Sequence, residues 1–152
     1  MEPIFRVVAR VRNERRELTD DNWDDYTSVI ELADDVPDVA LQGLEEFSHV
    51  EVIFLAELAQ DVPPGPWHRR PRGNLDWPDV GVFAQRNKDR PNRLLVSIAA
   101  LETIETRSLV VRGLDAINDT PVLDIKPVFS WSGPRGDLRV AAWSDELGRE
   151  YF

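Results

Sequence analysis

The sequence holds 152 residues, 42% hydrophobic and 30% charged, with 28 acidic against 18 basic side chains and a formal net charge of −10. That balance suits a soluble globular unit with one core and excludes a disordered or collagen-like chain. No cysteine is present, which removes disulfides, thiol nucleophiles and thiolate metal sites, and two separated histidines, His49 and His68, offer little to zinc.

No uncharged run approaches the ~18 residues needed to span a bilayer. The start, MEPIFRVVARVRNERR, has no basic, apolar and small-residue succession of a signal peptide. Residues 1–152 are therefore expected to form a single cytoplasmic domain with no membrane and no metal.

In chain order, Phe5–Arg12 reads as a strand edged with arginines, and Thr27–Leu32 alternates like a second. Val39–Glu46 suggests a short helical turn. His49–Leu58 is apolar and β-branched at its start, which favours a central strand, with a helix as the alternative. Asp61–Asp79 is dense in proline and glycine and predicts a long exposed loop, a feature that is usually functional or disordered. Val80–Ala84, Leu94–Leu101, Ser108–Arg112 and Pro121–Ile125 read as further strands. Trp143–Tyr151 predicts a C-terminal helix with Trp143, Leu147 and Tyr151 on one face. Many short strands and little helix point to a mainly β fold, a closed or nearly closed barrel.

Charge is unevenly placed. From Pro66 to Leu95 seven basic residues (Arg69, Arg70, Arg72, Arg86, Lys88, Arg90, Arg93) face three acids (Asp76, Asp79, Asp89). Attraction to phosphate is local, screened over roughly 8–10 Å at physiological salt, so a basic face on an acidic body can still bind an anion. Such a run is more often a solvated loop, and residue chemistry alone leaves the two readings about even. Arginine forks and Asn92 suit a carboxylate or phosphate, and Pro91 stiffens the turn. Asp124 and Lys126 flank Ile125, so alternation puts both on one face of a strand. They form either a structural ion pair or a proton acceptor beside an anion-holding ammonium. Trp67 and Trp77 bracket the HRRPRGN loop, where they either stack on nucleobases or pin the loop to the barrel. No Gly-rich phosphate loop, HExxH or GxSxG pattern occurs.

The succession LQGLEEFSHV (Leu41–Val50), GVFAQRNKDRPNR (Gly81–Arg93) and LDAINDTPVLDIKP (Leu114–Pro127), followed by a Trp-led terminal helix, resembles the TrmO family, also called TsaA-like or YaeB-like. The likeness runs from about Phe5 to Tyr151. It implies a compact β-barrel, usually a homodimer, that binds S-adenosyl-L-methionine without a Rossmann fold. It also implies methylation of the exocyclic amine of threonylcarbamoyl-adenosine beside the tRNA anticodon. Larger bacterial members carry a C-terminal extension, and this chain resembles the shorter ones.

Mapped onto this sequence, the resemblance implies catalytic roles for Asp124, Lys126 and Arg86. Phe47, His49, Phe83, Arg86, Arg90, Asn92 and Asp124 would hold the cofactor. Arg69, Arg70, Arg72, Lys88 and Arg93 would contact the tRNA. The chain departs from the family pattern where RPNRLL puts Leu95 in place of a usual glycine, where NDTPV puts Asp119 in place of another, and where Val128 replaces a frequent tyrosine. A glycine needed for a positive φ or a close cofactor approach would make either of the first two replacements costly. The alternatives are an S-adenosylmethionine-dependent enzyme acting on a small molecule, and a barrel that binds ligand without catalysis.

Overall fold

The computed structural model describes residues 4–58 and 67–152. Eight strands form in chain order: β1 (Ala9–Arg12), β2 (Thr27–Leu32), β3 (His49–Leu55), β4 (His68–Arg69), β5 (Val80–Gly81), β6 (Leu94–Ile104), β7 (Ser108–Arg112) and β8 (Pro121–Pro127). One α-helix, α1 (Ala142–Gly148), follows. Six strands close a barrel in the order β1-β2-β7-β6-β3-β8, all neighbours antiparallel, while β4 and β5 form a separate ribbon. Closure removes open strand edges, and the expected mainly β barrel with a terminal helix is the fold observed.

Alternation builds the core. Val11, Ile30, Val50, Val52, Phe54, Leu109, Val111 and Val122 point inward and are buried, so each strand spends every second residue on the barrel interior. Two bulges shape the wall. On β6, Leu101 pairs with Val111 and Thr103 with Val110, leaving Glu102 as the extra residue. The bend lets one eleven-residue strand serve both β3 and β7. On β8, Phe54 pairs with Val122 and Ile53 with Asp124, so Leu123 is extra. Without that insertion Asp124 would share Val122's inward face. The bulge turns Asp124 and Lys126 outward and keeps Ile125 against the core.

Several boundaries differ from the sequence reading. The first strand starts at Ala9, not Phe5: its paired register begins at Leu32 and Val122, and Val8 adds only single bonds, to the Val122 carbonyl (2.8 Å) and from the Ala33 amide (2.9 Å). Val39–Glu46 forms two 3-10 turns, Asp38–Leu41 and Leu44–Glu46, separated by Gly43 at φ +91°. The third strand stops at Leu55, whereas β6 and β8 run on to Ile104 and Pro127. Only Val80–Gly81 of the Val80–Ala84 strand is extended, and Val82–Ala84 turns as a 3-10 segment. The long loop is partly structured, since His68–Arg69 pairs with Val80–Gly81, and its first part lies outside the described residues.

Candidate functional site

The cationic segment is held as a unit by Gln85, a buried amide. Its Nε2 donates to the carbonyls of Arg69 (2.9 Å) and Val80 (3.1 Å), and its Oε1 accepts from Asn87 Nδ2 (2.9 Å). Asn87 Oδ1 in turn accepts from the Asp89 amide at 3.0 Å, and Arg90 Nη1 donates to the Gln85 carbonyl at 2.9 Å. One side chain thus ties the β4–β5 ribbon to the RNKDR turn. Sequence reasoning missed Gln85. The available signal was a lone amide between a 3-10 turn and a run of charges, where backbone donors and acceptors need partners.

The outer face of β8, β3 and β6 carries the second half of the site. In register, Lys126 lies beside Glu51 and then Ile98, and Asp124 beside Ile53 and then Val96. The next step along β3 is His49, paired with Ala100, and the Val128 amide extends the ladder by donating to the His49 carbonyl at 3.1 Å. Arg86 is exposed and its Nη2 donates to the Val96 carbonyl at 3.1 Å. Asp124 and the Arg86 anchor therefore flank Ile53 in one row, about 10 Å apart across two strand spacings. The cationic turn and the Asp-Ile-Lys strand share one face of the barrel.

Asp124 is fixed in place by two hydrogen bonds. Oδ2 accepts from Lys126 Nζ at 2.5 Å, and Oδ1 accepts from the Ile125 amide at 2.9 Å. The Lys126 ammonium is pushed above the ordinary lysine value, first by that hydrogen bond and then by the charges of Asp124 and Glu51. His49 is exposed, with Nδ1 2.8 Å from Ser48 Oγ.

A cleft of about 1430 Å³ is lined by Arg86 and by Val96, Ser97 and Ile98 of β6, while His49, Asp124 and Lys126 lie outside its lining. Phe83, Arg86, Lys88 and Arg90 line it from the loop, and Trp143, Leu147 and Tyr151 line it from the helical end, on the face the sequence assigned to them. Arg86 and Arg90 meet no carboxylate among the described residues, whereas the other arginines of the segment are engaged. Arg69 pairs with Asp89 at 2.9 Å, Arg70 donates to the carbonyls of Leu75 and Trp77, and Arg93 donates to the Glu57 carbonyl at 3.2 Å. Arg72 forms a two-pronged pair with Asp21 at 3.0 and 2.6 Å. Asn92 is exposed on the turn into β6, outside the lining of the cleft. Phe47 is also outside it and packs on Phe129. Trp77 pins the loop to α1, donating from Nε1 to Glu146 at 2.9 Å with Trp143 at 6.2 Å, while Trp67 leans on Phe83.

The two unusual residues resolve differently. Asp119 has φ +72°, a left-handed position that suits glycine, and Arg12 Nη1 holds its carboxylate at 2.5 Å. Leu95 sits in regular β6 and packs against the core, so no positive φ is demanded there. Among the described residues no group of three acids or histidines forms a metal site, and no helix is long and apolar enough to cross a membrane.

With this geometry in place, comparison with known proteins is informative. The chain is 41% identical over 124 residues to RcsF of Pseudomonas aeruginosa, whose name assigns it to the S-adenosylmethionine-dependent methyltransferases; the match covers 73% of this chain and 52% of RcsF. It is 40% identical over 94 residues to a Mus musculus protein named tRNA (adenine(37)-N6)-methyltransferase, covering 62% of this chain and 21% of that one. The crystal structure of TrmO from Pseudomonas aeruginosa superposes with a TM-score of 0.73 at 30% identity, covering 91% of this chain and 61% of TrmO. The chain thus spans about half the length of RcsF and about three fifths of that TrmO. A sequence model described as the tRNA-methyltransferase O N-terminal domain matches residues 20–132, three quarters of the chain, and this protein belongs to that family.

Proposed function

We propose that this chain is an S-adenosylmethionine-dependent methyltransferase acting on the exocyclic amine of an adenosine in the anticodon region of tRNA, with threonylcarbamoyl-adenosine as the substrate. The observation that carries the reading is the shared face of Arg86 and the Asp124–Lys126 pair, with Arg86 also lining a cleft large enough for a nucleoside cofactor.

The donor set fits the cofactor. Its carboxylate needs a cation, and Arg86 and Arg90 present guanidinium groups to the cleft without a carboxylate of their own among the described residues. Its adenine needs an apolar face, which the exposed Phe83 ring offers. Bound there, S-adenosylmethionine supplies a methyl group already activated on a sulfonium. The chain's own task is mainly alignment. The target amine is part of a urea-like group and a poor nucleophile, so an acceptor for its proton helps, and Asp124 takes that role through Oδ2. Lys126 orients that carboxylate and gives an anionic substituent of the substrate, such as a threonyl carboxylate, a partner. We read the exposed Trp67, which leans on Phe83, as part of a face that packs against a second copy in a homodimer. The setting for this chemistry is the cytoplasm.

The deciding experiment incubates the protein and labelled S-adenosylmethionine with tRNA from a strain lacking this gene, then identifies the methylated nucleoside by mass spectrometry. A labelled N6-substituted adenosine is expected. Calorimetry with the cofactor alone separates a non-binding barrel from an enzyme whose substrate is a small molecule. Arg86→Ala is expected to lower kcat/KM at least tenfold, roughly the worth of a charge-assisted contact, with circular dichroism unchanged because the side chain is exposed. Full activity in that variant would remove Arg86 from the site.

A further inference from the structure

Beyond the end of β8 three aromatic rings form a ladder that the methyl-transfer site does not use. Phe47 and Phe129 lie 5.6 Å apart between centroids, and Phe129 and Trp131 5.2 Å. The inner rungs are partly covered, but Trp131 is 67% exposed. Its presentation is fixed by a turn. The Ser132 hydroxyl accepts from the Phe129 amide at 3.1 Å and donates to the Phe129 carbonyl at 3.0 Å, while the Ser132 amide donates to the same carbonyl. An indole held on a locked turn loses little conformational freedom when something stacks on it.

The surroundings indicate the kind of partner. From Lys126 to Arg139 the chain carries three cations, Lys126, Arg135 and Arg139, against one acid, Asp137, in a protein with an excess of ten negative charges. Arg135 and Arg139 are exposed and form no hydrogen bond or ion pair among the described residues. An exposed aromatic residue followed closely in sequence by two unpaired arginines has the chemistry that binds single-stranded nucleic acid, with rings taking bases and cations taking phosphates. The location suits it as well. Val128 continues the β8 ladder, and four residues from Asp124 cover about 13 Å, a span of two or three nucleotides.

We propose that the Phe47–Phe129–Trp131 ladder is a stacking platform for an unpaired base of the RNA, a few nucleotides from the adenosine presented to Asp124. This inference rests on the tRNA reading above and extends it to a surface outside the cleft.

The test measures binding of a fluorescently labelled anticodon stem–loop RNA by anisotropy for the wild type, Trp131→Ala and Trp131→Phe. Stacking of one base predicts about tenfold or greater weakening for Trp131→Ala. Trp131→Phe, which keeps a ring, should stay within about threefold of the wild type. Calorimetric affinity for S-adenosylmethionine and the sedimentation coefficient should be unchanged in both. Equal RNA affinity in the wild type and Trp131→Ala overturns the platform while leaving the tRNA reading intact. A loss of affinity that tracks a shift in sedimentation assigns the ladder to contact with a second copy and overturns it too. If the wild-type protein does not bind the stem–loop, the tRNA reading fails and the platform with it.

Discussion

Asp119 is where a single side chain carries an unusual conformational load. Its backbone is left-handed at φ +72°, which costs an ordinary L-residue about 1–2 kcal/mol, although aspartate tolerates it better than most. The position is fixed from outside, since its amide donates to the Val11 carbonyl at 2.7 Å and its own carbonyl accepts from Arg10 at 2.9 Å. The carboxylate then meets Arg12, which also bonds Glu31, and the Arg12 guanidinium is held above the usual arginine value by these two partners. Removing the carboxylate but keeping Cβ therefore loses the ion pair and keeps the strain. Asp119→Ala should destabilise the fold by about 1–2 kcal/mol, whereas Asp119→Gly, which relieves the strain as it breaks the pair, should change it by less than about 0.5 kcal/mol. Urea unfolding of the three proteins checks the order. A glycine variant no more stable than the alanine one would contradict it.

At the level of elements, the C-terminal segment packs against the rest of the molecule through several contacts, among them a half-buried pair. Tyr151 Oη donates to Asp115 Oδ2 at 2.6 Å, and Asp115 Oδ1 is buried without a partner among the described residues. Burial and the neighbouring Asp115 charge raise the Tyr151 hydroxyl far above its ordinary value. The unfolded chain releases that proton at about pH 10 while the folded chain keeps it, so the contact stabilises fully below that pH and its contribution falls as pH rises beyond it. Tyr151→Phe leaves Asp115 with no donor and should cost about 1–3 kcal/mol near neutral pH. The gap to wild type should narrow above pH 10, which unfolding titrations at two pH values would detect. This end was legible in outline, since the spacing of Trp143, Leu147 and Tyr151 assigned them to one face, and that face lines the cleft. The strands were also legible, because period-two alternation is written directly in their residues. The β8 bulge was not. PVLDIKP places Val122 and Leu123 side by side, a break in alternation that does not say which residue is extra, and pairing with β3 shows that Leu123 is inserted and that Asp124 faces outward. Gln85 was hidden for a similar reason, as its partners lie five and sixteen residues away.

For the molecule as a whole, the proposed tRNA substrate would require a chain of net charge −10 to hold a polyanion. Counting basic residues overstates its means of doing so. Of the seven in the cationic segment, Arg69 and Arg72 are already neutralised by Asp89 and Asp21, and a phosphate must compete with those carboxylates. Arg86, Lys88 and Arg90 meet no carboxylate among the described residues, and Arg135 and Arg139 add exposed cations after β8, whereas Lys126 is paired with Asp124. Because counterion release scales with phosphates neutralised, the slope of log affinity against log salt reports how many of these cations act. A slope of roughly −2 to −4 is expected for the anticodon stem–loop, well short of the value if every cation in the segment took a phosphate. Asp21→Asn releases Arg72 and should steepen the slope by roughly one, while Lys88→Ala should flatten it by about the same amount. Titrations across a range of potassium concentrations measure both changes. A slope near zero in the wild type would instead favour a small-molecule substrate, since the remaining cations would then be serving the cofactor alone.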